Sequence, residues 1–213
     1  MESKRTNATI HGVSWEDPGL KGVTVFRNFF SHDECDQILE DSKDWPVDDA
    51  LIYRSTEPDK ERNIDHGIRK GKVRHYPRQR GSTWIHDIIL RAGEYYKLHY
   101  PLHPIYDDNK VTLEVAEYID EGDHFEMHSD MQVNAKQYSK LPNDTRKLSM
   151  SCILADEHAG GEFAVQSSKG VMKVELYKGD IICFPSYHRH RVEKLLSGYR
   201  ASLIVWLEGD FWR

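Results

Sequence analysis

Apolar residues change their period near the middle of the chain. Trp84, Ile85, Ile88, Ile89, Ala92 and Tyr96 recur at helical spacing after Ser82, and Pro101 closes the stretch, which predicts an amphipathic helix with one buried face. Upstream, Ser31-His32-Asp33-Glu34 reads as a capping box. Ser31 can cap and Glu34 stands at the reciprocal third position, so a helix is expected to about Asp44, stopping near Trp45-Pro46. Beyond residue 110 the pattern turns to short β-prone runs: VTLEVAEYI (111–119), HFEMHSD (124–130), KLSMSCIL (147–154), EFAVQ (162–166), VMKVEL (171–176), DIICF (180–184), HRVEKL (190–195) and YRASLIVWL (199–207). Gly122, Pro142-Asn143-Asp144, Gly160-Gly161, Gly170, Gly179 and Ser197-Gly198 punctuate them, and Gly160-Gly161 reads as a turn. A helical, irregular first half followed by eight such runs predicts an α+β chain. Its strands would form an antiparallel sandwich or jelly roll whose mouth can hold a small ligand.

Composition narrows the class. The 213 residues, 38% hydrophobic, fit a single domain over 1–213, and with a net charge of -6 the surface as a whole does not advertise nucleic acid or anionic membrane as a partner. Charge is uneven, however. Residues 54 to 81 hold nine Lys or Arg (Arg54, Lys60, Arg62, Arg69, Lys70, Lys72, Arg74, Arg78, Arg80) against four acids, a local +5 that reads as a solvated loop or as a flap over a polar substrate. Cys35, Cys152 and Cys183 are an odd, widely spaced set, expected to be reduced and buried. No run reaches the ~20 apolar residues of a membrane span, and the start MESKRTNATI is not a signal peptide, so the expectation is a soluble, cytoplasmic protein.

The candidate chemistry lies in histidines and acids. His124-Phe125-Glu126 and His128-Ser129-Asp130 occupy one extended stretch, where residues two apart point the same way and could face one metal ion. Spacing does not choose between these triplets, because His124, Glu126, His128 and Asp130 share one parity. A face of two histidines and one carboxylate on non-haem Fe(II) needs a third ligand from another strand. PSYHRHRV (185–192) offers one. In a hairpin over residues 190–207, Arg200 would lie a residue or two along the neighbouring strand from His190, with Ser202 on the same face. An Arg fork and a hydroxyl beside a metal suit a small dicarboxylate.

Four segments together resemble one family: YIDEGDHFEMHSD (118–130), RKLSMSCILADEHAGGEF (146–163), KGDIICFPSYHRHRV (178–192) and GYRASLIVW (198–206). Their order and content are similar to those of the Fe(II)- and 2-oxoglutarate-dependent dioxygenases of the prolyl 4-hydroxylase-like group. FRNFFSHDECDQIL (26–39) and the helix after Ser82 resemble the family's upstream supports. The resemblance implies a double-stranded β-helix core over about 111–207, with His128, Asp130 and His190 as iron ligands. It further implies Arg200 for the distal carboxylate of 2-oxoglutarate, with Tyr118, Ser149 and Ser202 as hydroxyl donors, while His124 and Glu126 fall outside the ligand positions. Fe(II), 2-oxoglutarate, O2 and possible use of ascorbate come with it, as does hydroxylation of a peptidyl or free amino acid with release of succinate and CO2. Asp130 favours hydroxylation, since related halogenases carry a small residue there. Two alternatives stand beside this reading. One is nucleic-acid demethylation of the AlkB type, in which a further Arg follows six residues after the 2-oxoglutarate Arg, where this chain has Trp206. The other is a non-catalytic metal-binding jelly roll. Substrate recognition would fall to residues 45–81 and to the Met131–Thr145 segment.

Overall fold

Two long strands form the spine. β9 (Asp144–Gly160) and β14 (Leu195–Asp210) pair antiparallel from Asp144↔Asp210 to Gly160↔Leu195, well beyond the KLSMSCIL and YRASLIVWL runs. The structure, a computed structural model, describes residues 8–10, 13–16, 18–49, 66–77, 84–99, 111–131 and 144–210. Of the expected features, residues 54–65 and 78–81 of the basic stretch, Ser82, Pro101, Pro142-Asn143 and most of the Met131–Thr145 segment lie outside them.

Among the described residues, six short strands lie in the first half, where only helix and irregular chain were expected: β1 (Ala8–Ile10), β2 (Val13–Glu16), β3 (Thr24–Arg27), β4 (Val47–Asp49), β5 (Arg69–Lys70) and β6 (Lys72–His75). They are short and largely polar, so tertiary pairing rather than local pattern makes them strands. β7 (Val111–Tyr118), β8 (His124–His128), β10 (Phe163–Ser167), β11 (Gly170–Val174), β12 (Ile181–Pro185) and β13 (His190–Val192) complete two sheets. The larger runs β1-β2-β3-β12-β9-β14-β7-β6-β4 and the smaller β11-β10-β13-β8-β5.

Alternation along β14 assigns its two faces. Ala201, Leu203, Val205 and Leu207 join one cluster with Met150 and Cys152 of β9, Ile38 of α1 (His32–Ser42), and Ile89 and Tyr96 of α2 (Trp84–His99). Arg200, Ser202, Ile204 and Trp206 take the opposite parity, toward a second cluster that joins Ala116, Tyr118, Ile182 and Phe184 to Phe163, Val165, Val174 and Val192 of the smaller sheet. The helices therefore cover the outside of the larger sheet, and the space between the sheets holds the polar residues of interest. The capping box is formed: Ser31 Oγ accepts from the Glu34 N–H at 3.2 Å, and Glu34 Oε2 accepts from the Ser31 N–H at 2.8 Å. The three cysteines are buried free thiols. No helix among the described residues is long and apolar enough to cross a membrane.

The hairpin expected over 190–207 does not form. β13 pairs with β8 and β10 in the smaller sheet, whereas β14 pairs with β9 and β7 in the larger one. The intervening residues carry the chain from layer to layer: the buried Leu195 donates to Asp123 O and accepts from the Gly122 N–H. Gly198, at φ 87°, then lets β14 run against Glu157, whose carbonyl O lies 2.2 Å from where a Cβ would stand. The basic stretch, where described, is not a solvated loop either. Arg69 is only 8% exposed, and residues 69–75 cross from the smaller sheet to the larger one through Gly71, at φ 145°.

Candidate active site

The central pair comes from register. His128 and His190 are directly opposed in the β8/β13 ladder, and Asp130 follows β8 by two residues. Their ligand atoms all lie within 4.8 Å of one another; His128 Nε2 is 3.5 Å from Asp130 Oδ1 and His190 Nε2 is 3.5 Å from Asp130 Oδ2. Each imidazole is oriented by its other nitrogen. His128 Nδ1 meets Glu126 O at 2.7 Å and His190 Nδ1 meets His188 O at 3.1 Å. A carbonyl only accepts, so both Nδ1 atoms carry the proton and both Nε2 lone pairs point into the cluster. Burial drives the His190 pKa down to about 4, keeping the ring neutral, the form that binds metal. Burial opposes the Asp130 charge, but His190, His128 and Arg146 outweigh it and hold that carboxyl well below the usual range. Two imidazoles and one carboxylate on two adjacent strands fit the facial donor set of Fe(II).

A β-bulge separates the two triplets that spacing left tied. Between His190↔His128 and Val192↔Phe125 the register shifts, with two steps along β13 against three along β8. Phe125 and His128 consequently share a face, and their rings stack at 3.5 Å and 14°. Parity is broken, and His124 turns away from His128. Its Nδ1 meets Gly122 O at 2.8 Å and its Nε2 meets Gly67 O at 3.4 Å, which satisfies it structurally, while Glu126 is exposed. His188 stacks on Tyr187 and reaches Lys21 O, Arg189 is exposed, and Arg191 bonds Glu193. Val192 is buried, and His190 packs against Phe163 and Phe184.

Across the gap, Arg200 is buried at 2% exposure with no hydrogen-bond partner for Nη1 and no ion pair among the described residues. Burial lowers its pKa, and only the neighbouring Tyr118 works the other way; the Tyr118 ring lies 5.3 Å from the guanidinium carbon, at the facing position of β7. A buried cation without an anion costs several kcal/mol, so the position fits a carboxylate guest. The Ser202 hydroxyl is fully buried and also without a partner among the described residues. Ser149 does not join this group. It stands opposite Trp206, six positions along β14 from Arg200, and its hydroxyl is 2.9 Å from that of Ser186. Sequence reasoning missed Ser151, opposite Ile204, whose buried hydroxyl is without a partner. It also took Gly160-Gly161 for a plain turn: a Cβ on Gly161, at φ 66°, would stand 3.1 Å from Arg200 Cδ, so this glycine makes room for the guanidinium stem.

At the other end of the β14 row, the Arg146 guanidinium lies 3.6 Å over the Trp206 ring, brought there by a register shift next to Leu207. Arg146 Nε and Trp206 Nε1 are buried without hydrogen-bond partners among the described residues. No signal in the sequence singled out Arg146, because its inward position depends on that shift.

Residues 113–208 match the family described as the 2OG-Fe(II) oxygenase superfamily, spanning the spine, both triad strands and Arg200. That segment, a little under half of the chain, is similar to the 2OG-Fe(II) oxygenase superfamily. Among curated relatives, a PKHD-type hydroxylase of Herminiimonas arsenicoxydans is 32% identical over 91 residues, which is 41% of this chain and 39% of that protein. One from Prochlorococcus marinus is 40% identical over 53 residues, 25% of this chain and 24% of its own length. The match thus spans about two fifths or less of these relatives. Folds agree over much more: a Pseudomonas putida prolyl-4-hydroxylase superposes with a TM-score of 0.59 at 18% identity, covering 90% of this chain and 94% of that one. A Trichoplax adhaerens prolyl hydroxylase, solved with a hypoxia inducible factor peptide fragment, gives 0.65 at 15% identity, covering 89% and 84%. The fold is the double-stranded β-helix that these prolyl hydroxylases share, and Fe(II), 2-oxoglutarate and O2 are the reagents of the matched family.

Proposed function

We propose that the chain is an Fe(II)- and 2-oxoglutarate-dependent hydroxylase acting on a peptidyl or free amino acid side chain, with proline the nearest analogue. The observation that carries this reading is the buried, unpaired Arg200, set in the sheet that faces the His128, Asp130 and His190 cluster. Bound by that cluster, Fe(II) would supply O2 activation coupled to oxidative decarboxylation of 2-oxoglutarate, giving succinate, CO2 and a hydroxylated substrate. The chain's own residues do the rest. His128 and His190 present their Nε2 lone pairs, and Asp130 presents a carboxylate whose pKa its neighbours hold down. Arg200 takes the distal carboxylate of 2-oxoglutarate over the Tyr118 ring, with Ser202 and Ser151 as the hydroxyls in reach of that interior row. Phe163 and Phe184 flank His190 and keep water from its inner side.

Arg146 and Trp206 are proposed to hold the prime substrate, their unpartnered Nε and Nε1 donors meeting a carbonyl or carboxylate. Relatives and structural neighbours named as hydroxylases favour an amino acid or peptide. Trp206, at the position where AlkB-type demethylases resemble one another in carrying Arg, argues against a methylated nucleoside. Three buried free thiols suit a reducing compartment, and the cytoplasm is the proposed location.

Reconstitution with Fe(II), 2-oxoglutarate and ascorbate tests the proposal. Proline-containing peptides or free amino acids should gain one oxygen with matching succinate. Turnover of methylated nucleosides alone would overturn the substrate class, and metal binding with no 2-oxoglutarate consumption on any substrate would make the chain a non-catalytic module.

A further inference from the structure

The basic segment leaves one arrangement that the reaction does not use. Arg69 of β5 is buried, its Nη2 meets Glu114 Oε1 at 3.1 Å, and its guanidinium carbon sits 4.5 Å over the Phe125 ring. Phe125 in turn stacks on His128. We infer that Arg69 is a positioning residue of the metal centre: anchored by Glu114, it presses Phe125 flat against the His128 imidazole, so that residues 69–75 and the metal seat together. This rests on the metal-centre reading above.

The segment is tied to both layers. Arg69 and Lys70 pair with Phe125 and His124 of β8, Glu126 N–H donates to Ile68 O at 2.8 Å, and Lys70 Nζ reaches Asp123 Oδ1 at 3.1 Å. After Gly71, whose Cβ would stand 2.8 Å from Glu117 O, β6 pairs with β7, and His75 Nδ1 approaches Glu114 Oε2 at 3.7 Å. Arg69 also feels Asp130: burial opposes its charge, but Glu114, Tyr118 and Asp130 together raise its pKa. A buried ion pair serving only the fold could lie anywhere between the sheets. This one ends on the aromatic ring in contact with a ligand imidazole, and groups that orient ligands in this way govern metal affinity. Coupling between the segment and the metal must then run in both directions.

Co(II) serves as the probe, read by its visible absorption in wild type, Arg69→Met, Arg69→Lys, Glu114→Gln and Phe125→Leu. Arg69→Met and Phe125→Leu are expected to weaken Co(II) about tenfold to a hundredfold and to alter the absorption bands, with Arg69→Lys and Glu114→Gln between them and wild type. In wild type, Co(II) should slow amide exchange over residues 69–75, and in Phe125→Leu that slowing should be lost. Wild-type affinity and bands in a folded Arg69→Met, or equal slowing in Phe125→Leu, overturns the inference. If Arg69→Met does not fold, Phe125→Leu and Glu114→Gln carry the same comparison. Wild type that binds no Co(II) overturns the metal centre first and the positioning role with it.

Discussion

The two histidines of PSYHRHRV differ by their surroundings rather than by their type. His190 is buried between Phe163 and Phe184 with its Nε2 aimed at Asp130, whereas His188 spends its Nε2 on the Lys21 carbonyl. His190→Ala should abolish stoichiometric Co(II) binding, while His188→Ala should change affinity by no more than about threefold; a metal titration by absorption checks both. Arg200 offers an opposite pair of effects. Arg200→Met removes a buried charge that has no ion-pair partner among the described residues, so thermal unfolding should show a gain of about 1 kcal/mol or more. The same change should raise the KM for 2-oxoglutarate about a hundredfold or more, measured by succinate formation. Short motifs left His124 and Glu126 tied with His128 and Asp130, and only the resemblance across four segments from 118 to 206 singled out His128, Asp130, His190 and Arg200. Alternation turns Ser149 and Ser151 to the same face and could not choose between them; the pairing with β14 puts Ser151 nearer Arg200, and Arg146 was out of reach because a register shift next to Leu207 sets its position.

Local determinants carried α1 and failed β8. The capping box joins residues three apart, so Ser31 and Glu34 could be read directly from the sequence. Ser31→Ala should cost about 1 kcal/mol, seen as a fall of about 2–4 °C in melting temperature with activity unchanged. The bulge in β8 has no such local mark: Phe125 and His128 come to one face only because β13 supplies two residues against three. For the same reason the expected hairpin after β13 was out of reach, because a turn-like Leu195-Leu196-Ser197-Gly198 serves equally well to change sheets. Gly161→Ala would test the corner on the other side. With its Cβ 3.1 Å from Arg200 Cδ and a φ of 66°, the variant should fold less stably and raise the KM for 2-oxoglutarate more than it lowers kcat.

At the scale of the whole molecule, the buried triad makes stability depend on acidity. His190 has a folded pKa of about 4 against an ordinary 6.5, so the unfolded chain binds more protons between those values, and stability rises with pH across that window. The Asp130 shift has the same sign, since its carboxyl is ionised in the fold at pH values where the unfolded one is protonated. The metal-free protein should therefore hold its full stability above about pH 6.5 and lose roughly 3 kcal/mol from His190 as pH falls toward 4, measured by denaturant titration at several pH values. The division of labour between layers has another effect. His128 and His190 belong to the smaller sheet and Arg200 to the larger, so a guest held at both ends works as a cross-brace between two plates. By mass action, Mn(II) and 2-oxoglutarate each at about a hundred times their Kd would add on the order of 2.7 kcal/mol apiece to the folded state. A melting-temperature rise with both present that exceeds the two separate rises would mark the brace, and withdrawing 2-oxoglutarate would then leave a looser protein.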